Sequence, residues 1–389
     1  MDFLDAVYLL SKGIGSLPVS EWLKIVAALI TLVIVAMQAY RLGRKTFIDK
    51  IRPHFVSEDS FWDRPTRRNL ARHAKRLDDG PPVLTIENFK GGVGKSTLSA
   101  NIAAYFDWLG LKVLLIDFDY QGSLTDSIIK TDGNLKLGAI DLLESKHDVK
   151  YILSRRERPM AVFKHTDVLA AAYTLNRVEN RVAFKWLVGE SGKDIRYNVH
   201  DVLSSREMRN EAYDIVIIDA PPRLTTGSAN ALCASTHVLV PTILDNISAT
   251  AAVNTLDAIQ KLKEQVSPGL EILGVVPTFV HQSTRYRDSE AEALFYIKSE
   301  IATRFSKRKD AFIQVFEDER ITRKVAFSDA AGEKVAFFEN ADVQTMFVRL
   351  GKAIALAIGG DFALKVQNGR PRPPAATREP RSNVVNVGR

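Results

Sequence analysis

The sequence predicts a doubly wound α/β domain, with a mostly parallel sheet and helices on both faces. Three observations predict it. Short runs of Val, Ile and Leu recur between amphipathic stretches, as in "KVLLIDFD" (Lys112–Asp119) and "YDIVIIDAPP" (Tyr213–Pro222). A glycine-rich turn, "KGGVG", separates the first such run from a helical pattern, and two later runs end in aspartate. Strands that are continuously apolar, rather than alternating, belong to sheets covered on both faces. Ligands of such sheets bind beyond the carboxyl ends of the strands, where the turn and the aspartates fall.

Taken in chain order, residues 1–21 form a short N-terminal segment. "WLKIVAALITLVIVAMQAY" (Trp22–Tyr40) follows, and Thr31 is its only polar residue between Ile25 and Met37. As a helix its 19 residues span roughly 28 Å, close to the hydrocarbon thickness of a bilayer. Aromatic residues stand at both ends, and Arg41, Arg44, Lys45, Lys50 and Arg52 follow. A buried core helix is rarely followed by so many cations. A signal peptide would show a basic start and a small-residue cleavage site, and an interfacial helix would show a charged face. The expectation is a single-pass anchor in the inner (cytoplasmic) membrane, with the longer C-terminal part in the cytoplasm.

Residues 41–82 read as a basic juxtamembrane linker, with a short helix over Asn69–Leu77 stopped by "DDGPP". The domain itself is expected over residues 83–360. Its strands are "VLTIENF" (Val83–Phe89), the two runs above, "HVLVPT" (His237–Thr242) and "LEILGVVPTFV" (Leu270–Val280); its first helix is Lys95–Gly110. Residues 361–389, ending in the Arg- and Pro-rich "NGRPRPPAATREPRSNVVNVGR", are expected to be a disordered tail.

Composition bounds the chemistry. Of 389 residues, 46% are hydrophobic, enough for a large core, and Cys233 is the only cysteine. A disulfide framework and a cysteine-rich metal site are excluded, and a reducing compartment fits. The net charge is +7, with +5 in residues 41–82 and +4 in residues 366–389, which leaves −2 for the rest. The basic excess lies in the flanks, which weakens an argument for nucleic acid from charge alone.

"FKGGVGKST" (Phe89–Thr97) is a variant phosphate-binding loop, with Phe89 where the usual pattern has glycine. Gly91, Gly92 and Gly94 allow backbone N–H groups around Val93 to close on phosphate oxygens, and the helix opening at Lys95 adds its partial positive charge. Lys95 reaches the β- and γ-phosphates, and the Ser96 hydroxyl, next to Thr97, ligates Mg2+. Asp117 and Asp119 end one strand, and Asp219 ends another after four apolar residues. Asp219 can face the metal ion through water, and Asp117 is a further candidate for it. Strand ends converging on one such loop point to nucleotide hydrolysis with Mg2+.

"KGGVGKST", "VLLIDFDYQG", "YDIVIIDAPP" and "SANALCASTHVLVPT" stand in the order and spacing of the ParA/MinD family of deviant Walker-type P-loop ATPases, which the chain resembles over about residues 83–358. A weaker C-terminal pattern continues through "ITRKVAFSDAAGEKVAFFEN" (Ile321–Asn340). The resemblance implies an ATP-dependent homodimer in which Lys90 reaches phosphates bound by the other subunit, while Asp119 orients the attacking water. It implies slow turnover stimulated by a partner protein, and the positioning or segregation of a cargo such as a plasmid, chromosome or protein complex. MinD-like members reach the membrane by a reversible amphipathic helix, so a spanning anchor would be a departure. Tyr120 replaces the family's usual proline. Ala326 stands where DNA-binding members often carry a second arginine, beside Arg320, Arg323 and Lys324, so DNA binding is expected to be weak at most. Two other readings stay open. A capsule-export tyrosine kinase shares the loop, but its family ends in a tyrosine cluster and the last tyrosine here is Tyr296. A nucleotide-gated scaffold with negligible turnover would carry the same motifs.

Overall fold

The apolar runs form the strands expected of them. A computed structural model describes Thr31 and residues 35–40, 62, 64–130, 134–282, 285–305, 313–329 and 334–371. The strands are β1 (Val83–Ile86), β2 (Val113–Asp117), β3 (Thr166–Leu169), β4 (Ile215–Asp219), β5 (His237–Ile243), β6 (Glu271–Thr278) and β7 (Gln314–Val315). They make one sheet in the order β3-β2-β4-β1-β5-β6-β7, parallel throughout. Every residue of β1, β2 and β4 is buried. Withdrawing each Val, Ile or Leu from water contributes roughly 1.5–3 kcal/mol, which commits these runs to the interior. The helix Lys95–Trp108 packs Leu98, Ile102 and Phe106 in one core cluster with Leu84 and Ile86 of β1 and Phe347 and Leu350 of the helix Ala341–Ile358. Leu114, Ile116, Val216 and Ile218 belong to a second cluster with Leu142, Leu143 and Val199.

Two strands were not expected. β3 is short and carries a buried aspartate, Asp167, which breaks its apolar signature. Tyr213 donates to Asp167 at 2.7 Å and Arg156 and Arg158 pair with it, so the charge is compensated. β7 has only two residues, too few for a sequence pattern.

The chain divides into two units, Met1–Phe61 and Trp62–Arg389. Of the span expected over residues 22–40, the structure describes Thr31 and residues 35–40, which are helical and exposed; the remainder lies outside the described residues. Among the described residues no helix is long and apolar enough to cross a membrane. This overturns the expected single-pass placement in the inner membrane with a cytoplasmic domain. A span needs about 20 consecutive apolar helical residues, and none of the described helices provides them.

The described part of the basic linker is a packed strap rather than a solvated connector. The helix forms over Leu70–Asp78, one residue from expectation, with Asn69 accepting from the Arg72 amide at its N-terminus. Upstream, Arg196, 1% exposed, donates to the carbonyls of Trp62 and Arg64 at 2.7 and 2.6 Å and forks onto Asp194. Trp62 stacks on Trp186 at 6.2 Å. Arg64 lies over the Trp186 ring and Arg68 pairs with Asp201, while Arg67, Arg72 and Lys75 stay exposed. At the other end, the helix Gly360–Asn368 occupies residues expected to be disordered. Phe362 and Val366, four apart on one face, are both buried, and Phe362 packs edge-to-face on Phe106. Residues 372–389 lie outside the described residues.

The strap brings His73 against His200, ring centroids 4.2 Å apart. His73 Nε2 donates to the Cys233 carbonyl, and Arg68 donates to His200 Nδ1, an acceptor role that requires a neutral His200 ring. Burial, aided by His200 and Arg68 against the Cys233 carbonyl and Asp201, pushes His73 down to about 4; burial, aided by Arg68 and Arg76 against Asp201, likewise lowers His200. A histidine whose folded pKa lies below its unfolded value binds protons more readily when unfolded. Stability is therefore full above about pH 6.5 and falls as pH drops towards 4, by on the order of 3 kcal/mol for His73. The urea midpoint should fall accordingly between pH 7 and 4.5, and His73→Phe should flatten that fall. An equally steep loss in the variant would assign the acid sensitivity elsewhere.

Candidate nucleotide-binding site

Register assembles the site. β4 lies between β2 and β1, with Asp117 opposite Asp219 and Ile86 opposite Asp219. The loop after β1 therefore opens beside both carboxylates. Asn88 shapes that loop: its Nδ2 donates to the Pro241 carbonyl at 2.7 Å, and its Oδ1 accepts from the Lys90 amide at 2.9 Å. Gly92 and Gly94 have φ of +76° and +90°, conformations in which a side chain is strained. Gly94 begins the helix with no side-chain cap, so the first-turn amides are left for an anion. Gly91 lies against Pro222, and the carbonyl of the buried Val93 accepts from the Thr278 hydroxyl at 2.8 Å.

Lys95 is 6% exposed, and its Nζ donates to the carbonyls of Asn88 and Lys90 at 3.0 Å each. The ammonium thus hangs over the loop whose amides would hold phosphate. Ser96 and Thr97 line a cavity of about 210 Å3 with Asn101, Asp126, Phe327 and Lys334. Lys90, by contrast, lies within its own subunit: its Nζ donates to Ser248 Oγ at 2.7 Å, and Ser248 donates to Asp245 at 2.7 Å. Asp245 caps the helix Asn246–Val266.

Asp219 is fully buried. Its Oδ1 accepts from Ser99 at 3.0 Å, while Oδ2 has no hydrogen-bond partner among the described residues. Burial raises its pKa, against the pull of Ser96, Lys95 and Ser99. A buried carboxylate oxygen left unsatisfied beside a serine hydroxyl suits a hard divalent cation, which takes oxygen ligands. Asp117 differs. Its Oδ1 accepts from the Asp119 amide at 2.9 Å, and its Oδ2 from the Thr125 amide and hydroxyl at 3.0 and 2.7 Å. Burial and Asp219 hold its pKa well up. The contacts make Asp117 the organiser of the 119–125 loop, with both of its carboxylate oxygens already accepting hydrogen bonds. Asp119, 8% exposed, accepts from the Gln121 amide at 3.0 Å.

Several contributors were missed. Asn88 and Ser248 carry no pattern of their own. Ser99 stands four residues after Lys95, on the same helical face, a spacing that could have been read. Glu87, buried at the end of β1, has its pKa raised by burial against the opposing charge of Lys95. In the C-terminal pattern, Lys324 is engaged by Asp342 at 2.7 Å and Ala326 packs on the core.

A sequence profile described as an AAA domain matches residues 82–272. The chain is 31% identical to the chromosome partitioning protein ParA of Caulobacter vibrioides over 198 residues, 50% of this chain and 68% of that protein. The chain belongs to the ParA family. It is 28% identical over 202 residues to the sporulation initiation inhibitor protein Soj of Bacillus subtilis, covering 52% of this chain and 74% of Soj. The septum site-determining protein MinD of Pyrococcus horikoshii, solved with Mg-ADP, superposes with a TM-score of 0.52 at 18% identity, over 72% of this chain and 98% of MinD. That likeness shows the shared parallel-sheet fold. As a ParA-family protein the chain is an ATPase.

Proposed function

We propose that this ParA-family ATPase binds Mg-ATP in the loop Lys90–Thr97 and hydrolyses it slowly in an ATP-dependent homodimer that positions or segregates a cargo, under control of a partner protein. The observation that carries this reading is the convergence of three groups at one strand end. Lys95 hangs over the loop carbonyls, Asp219 presents a free buried oxygen beside Ser96, and Asp117 sets Asp119 at the rim. Lys95 neutralises the terminal phosphates, and the loop amides orient them. Ser96 and Asp219 would hold Mg2+, which would supply charge neutralisation for the transferring phosphoryl group. Asp119 accepts a hydrogen bond from the attacking water. Lys90 is the one cation of the loop that reaches outward, to the N-terminus of a neighbouring helix; in the dimer it leaves Ser248 for the partner's phosphates.

Sedimentation of the chain with ATP and Mg2+ should give twice the mass found with ADP, and turnover per chain should rise with protein concentration. A mass that is the same with both nucleotides, or turnover independent of concentration, would remove the dimer from this account.

A further inference from the structure

We propose that Phe279 is a positioning residue for nucleotide binding: its ring braces the phosphate-binding loop at Gly94 from the end of β6. The proposal rests on the reading of Lys90–Thr97 as the phosphate cradle. Two independent observations converge on it. Phe279 has φ +51°, the left-handed region that a bulky side chain rarely adopts and that concentrates at functional sites. Its ring edge also covers Gly94 so closely that a Cβ there would lie 2.9 Å from Phe279 Cε2 and 3.2 Å from Cζ.

The surrounding bonds explain how the strained backbone persists. β6 ends at Thr278, whose hydroxyl holds the Val93 carbonyl. Immediately after Phe279, the Val280 amide donates to Ile321 at 3.0 Å and Arg323 donates back to Val280 at 2.8 Å. The chain is held on both sides of the left-handed residue. The turn throws the ring over the loop instead of along the strand. Behind it, Phe327 meets Phe279 edge-on at 5.9 Å, and Phe347, fully buried in the helix Ala341–Ile358, meets Phe327 at 6.3 Å. The ring has packed aromatic matter behind it and Gly94 in front. Gly94 is held against drifting towards β6, and the amides that follow it keep the spacing that phosphate oxygens need.

The full chain and its Phe279→Leu, Phe279→Ala and Phe279→Gly variants can be compared by calorimetric titration with ATP and Mg2+, steady-state kinetics and thermal melting. Phe279→Ala and Phe279→Gly should raise Kd and KM roughly tenfold, as amide contacts to phosphate loosen, with kcat within about twofold. Phe279→Leu, which still covers Gly94, should stay within about threefold of wild type. Glycine accepts a left-handed backbone, so Phe279→Gly should melt above Phe279→Ala while binding ATP no better. Affinities that follow the melting temperatures, with the glycine variant recovering, would reduce Phe279 to a packing residue and overturn the proposal. So would folded Ala and Gly variants with wild-type Kd. Lys95→Ala measured alongside separates the two readings. If that variant loses binding while the Phe279 variants do not, the brace alone fails; if it binds normally, the cradle fails and the brace with it.

Discussion

Lys95→Ala abolishes useful nucleotide binding while the chain stays folded. Lys95 Nζ is nearly buried, and its partners in the loop are two carbonyls at 3.0 Å. Asn88 is fully buried, so its carbonyl loses a donor when the ammonium goes, at a cost of about 1–3 kcal/mol that should lower the melting temperature and leave the fold in place. A phosphate group in the same place loses a charge-assisted contact with no aqueous substitute. Contacts of that kind contribute about 1.5–3 kcal/mol each, and two phosphates share the ammonium, so affinity should fall by at least about 100-fold. Calorimetric titration with ATP and Mg2+ reads the loss, and thermal melting checks the fold. An Lys95→Ala chain that binds ATP within about threefold of wild type would show that the loop is not the cradle.

Lys90→Ala and Asp119→Ala should fail differently, and their mixture should recover. Lys90 donates to Ser248 in its own subunit and makes no contact with Lys95's ammonium partners through its side chain, so its loss leaves the subunit's own cradle intact. ATP should still bind, while dimer formation falls and turnover drops by on the order of 10²–10³, the cost of removing one transition-state charge contact. Asp119→Ala should bind ATP, leave it uncleaved and accumulate as the dimer. In a two-fold dimer of one chain of each kind, one site pairs an intact Asp119 with the partner subunit's intact lysine, and the other site lacks both. At equal amounts half the dimers are mixed, so about a quarter of wild-type turnover should return. Mixed dimers that form and remain inactive would place Lys90 in its own subunit's site, where the Ser248 contact already holds it.

How much of this was readable in advance differs from residue to residue. β1, β2 and β4 were legible because a parallel sheet covered on both faces demands continuous apolar runs, and "VLLID" and "IVIID" can be little else. β3 was not, because Asp167 makes it look like a loop; its charge is tolerated only because Tyr213 and two arginines from elsewhere in the chain meet it. The strap and the final helix were misjudged for one reason. Composition there is basic and polar, and sequence cannot say that Arg196, Asp194 and Trp186 wait to receive Trp62 and Arg64, or that Phe106 receives Phe362. The apolar run at residues 22–40 had the length of a span, yet no described helix has the continuous apolar length that crossing requires.

By itself the sequence determined the sheet's central strands and the glycine loop, and it singled out Lys90, Lys95, Ser96, Asp119 and Asp219 as candidates, because each depends on local geometry: a strand, a tight glycine turn, a helix N-terminus. What each carboxylate and lysine touches was decided only by the tertiary structure. Strand order set Asp117 beside Asp219 and then spent Asp117 on Thr125 and Asp119, leaving a free oxygen on Asp219 alone of the two. Crossover connections brought Ser248 to Lys90 and Phe279 to Gly94, from 158 residues away in the first case. Contacts across such separations depend on how the sheet is wound, and no period or motif in the chain encodes that winding where the contacting residues stand.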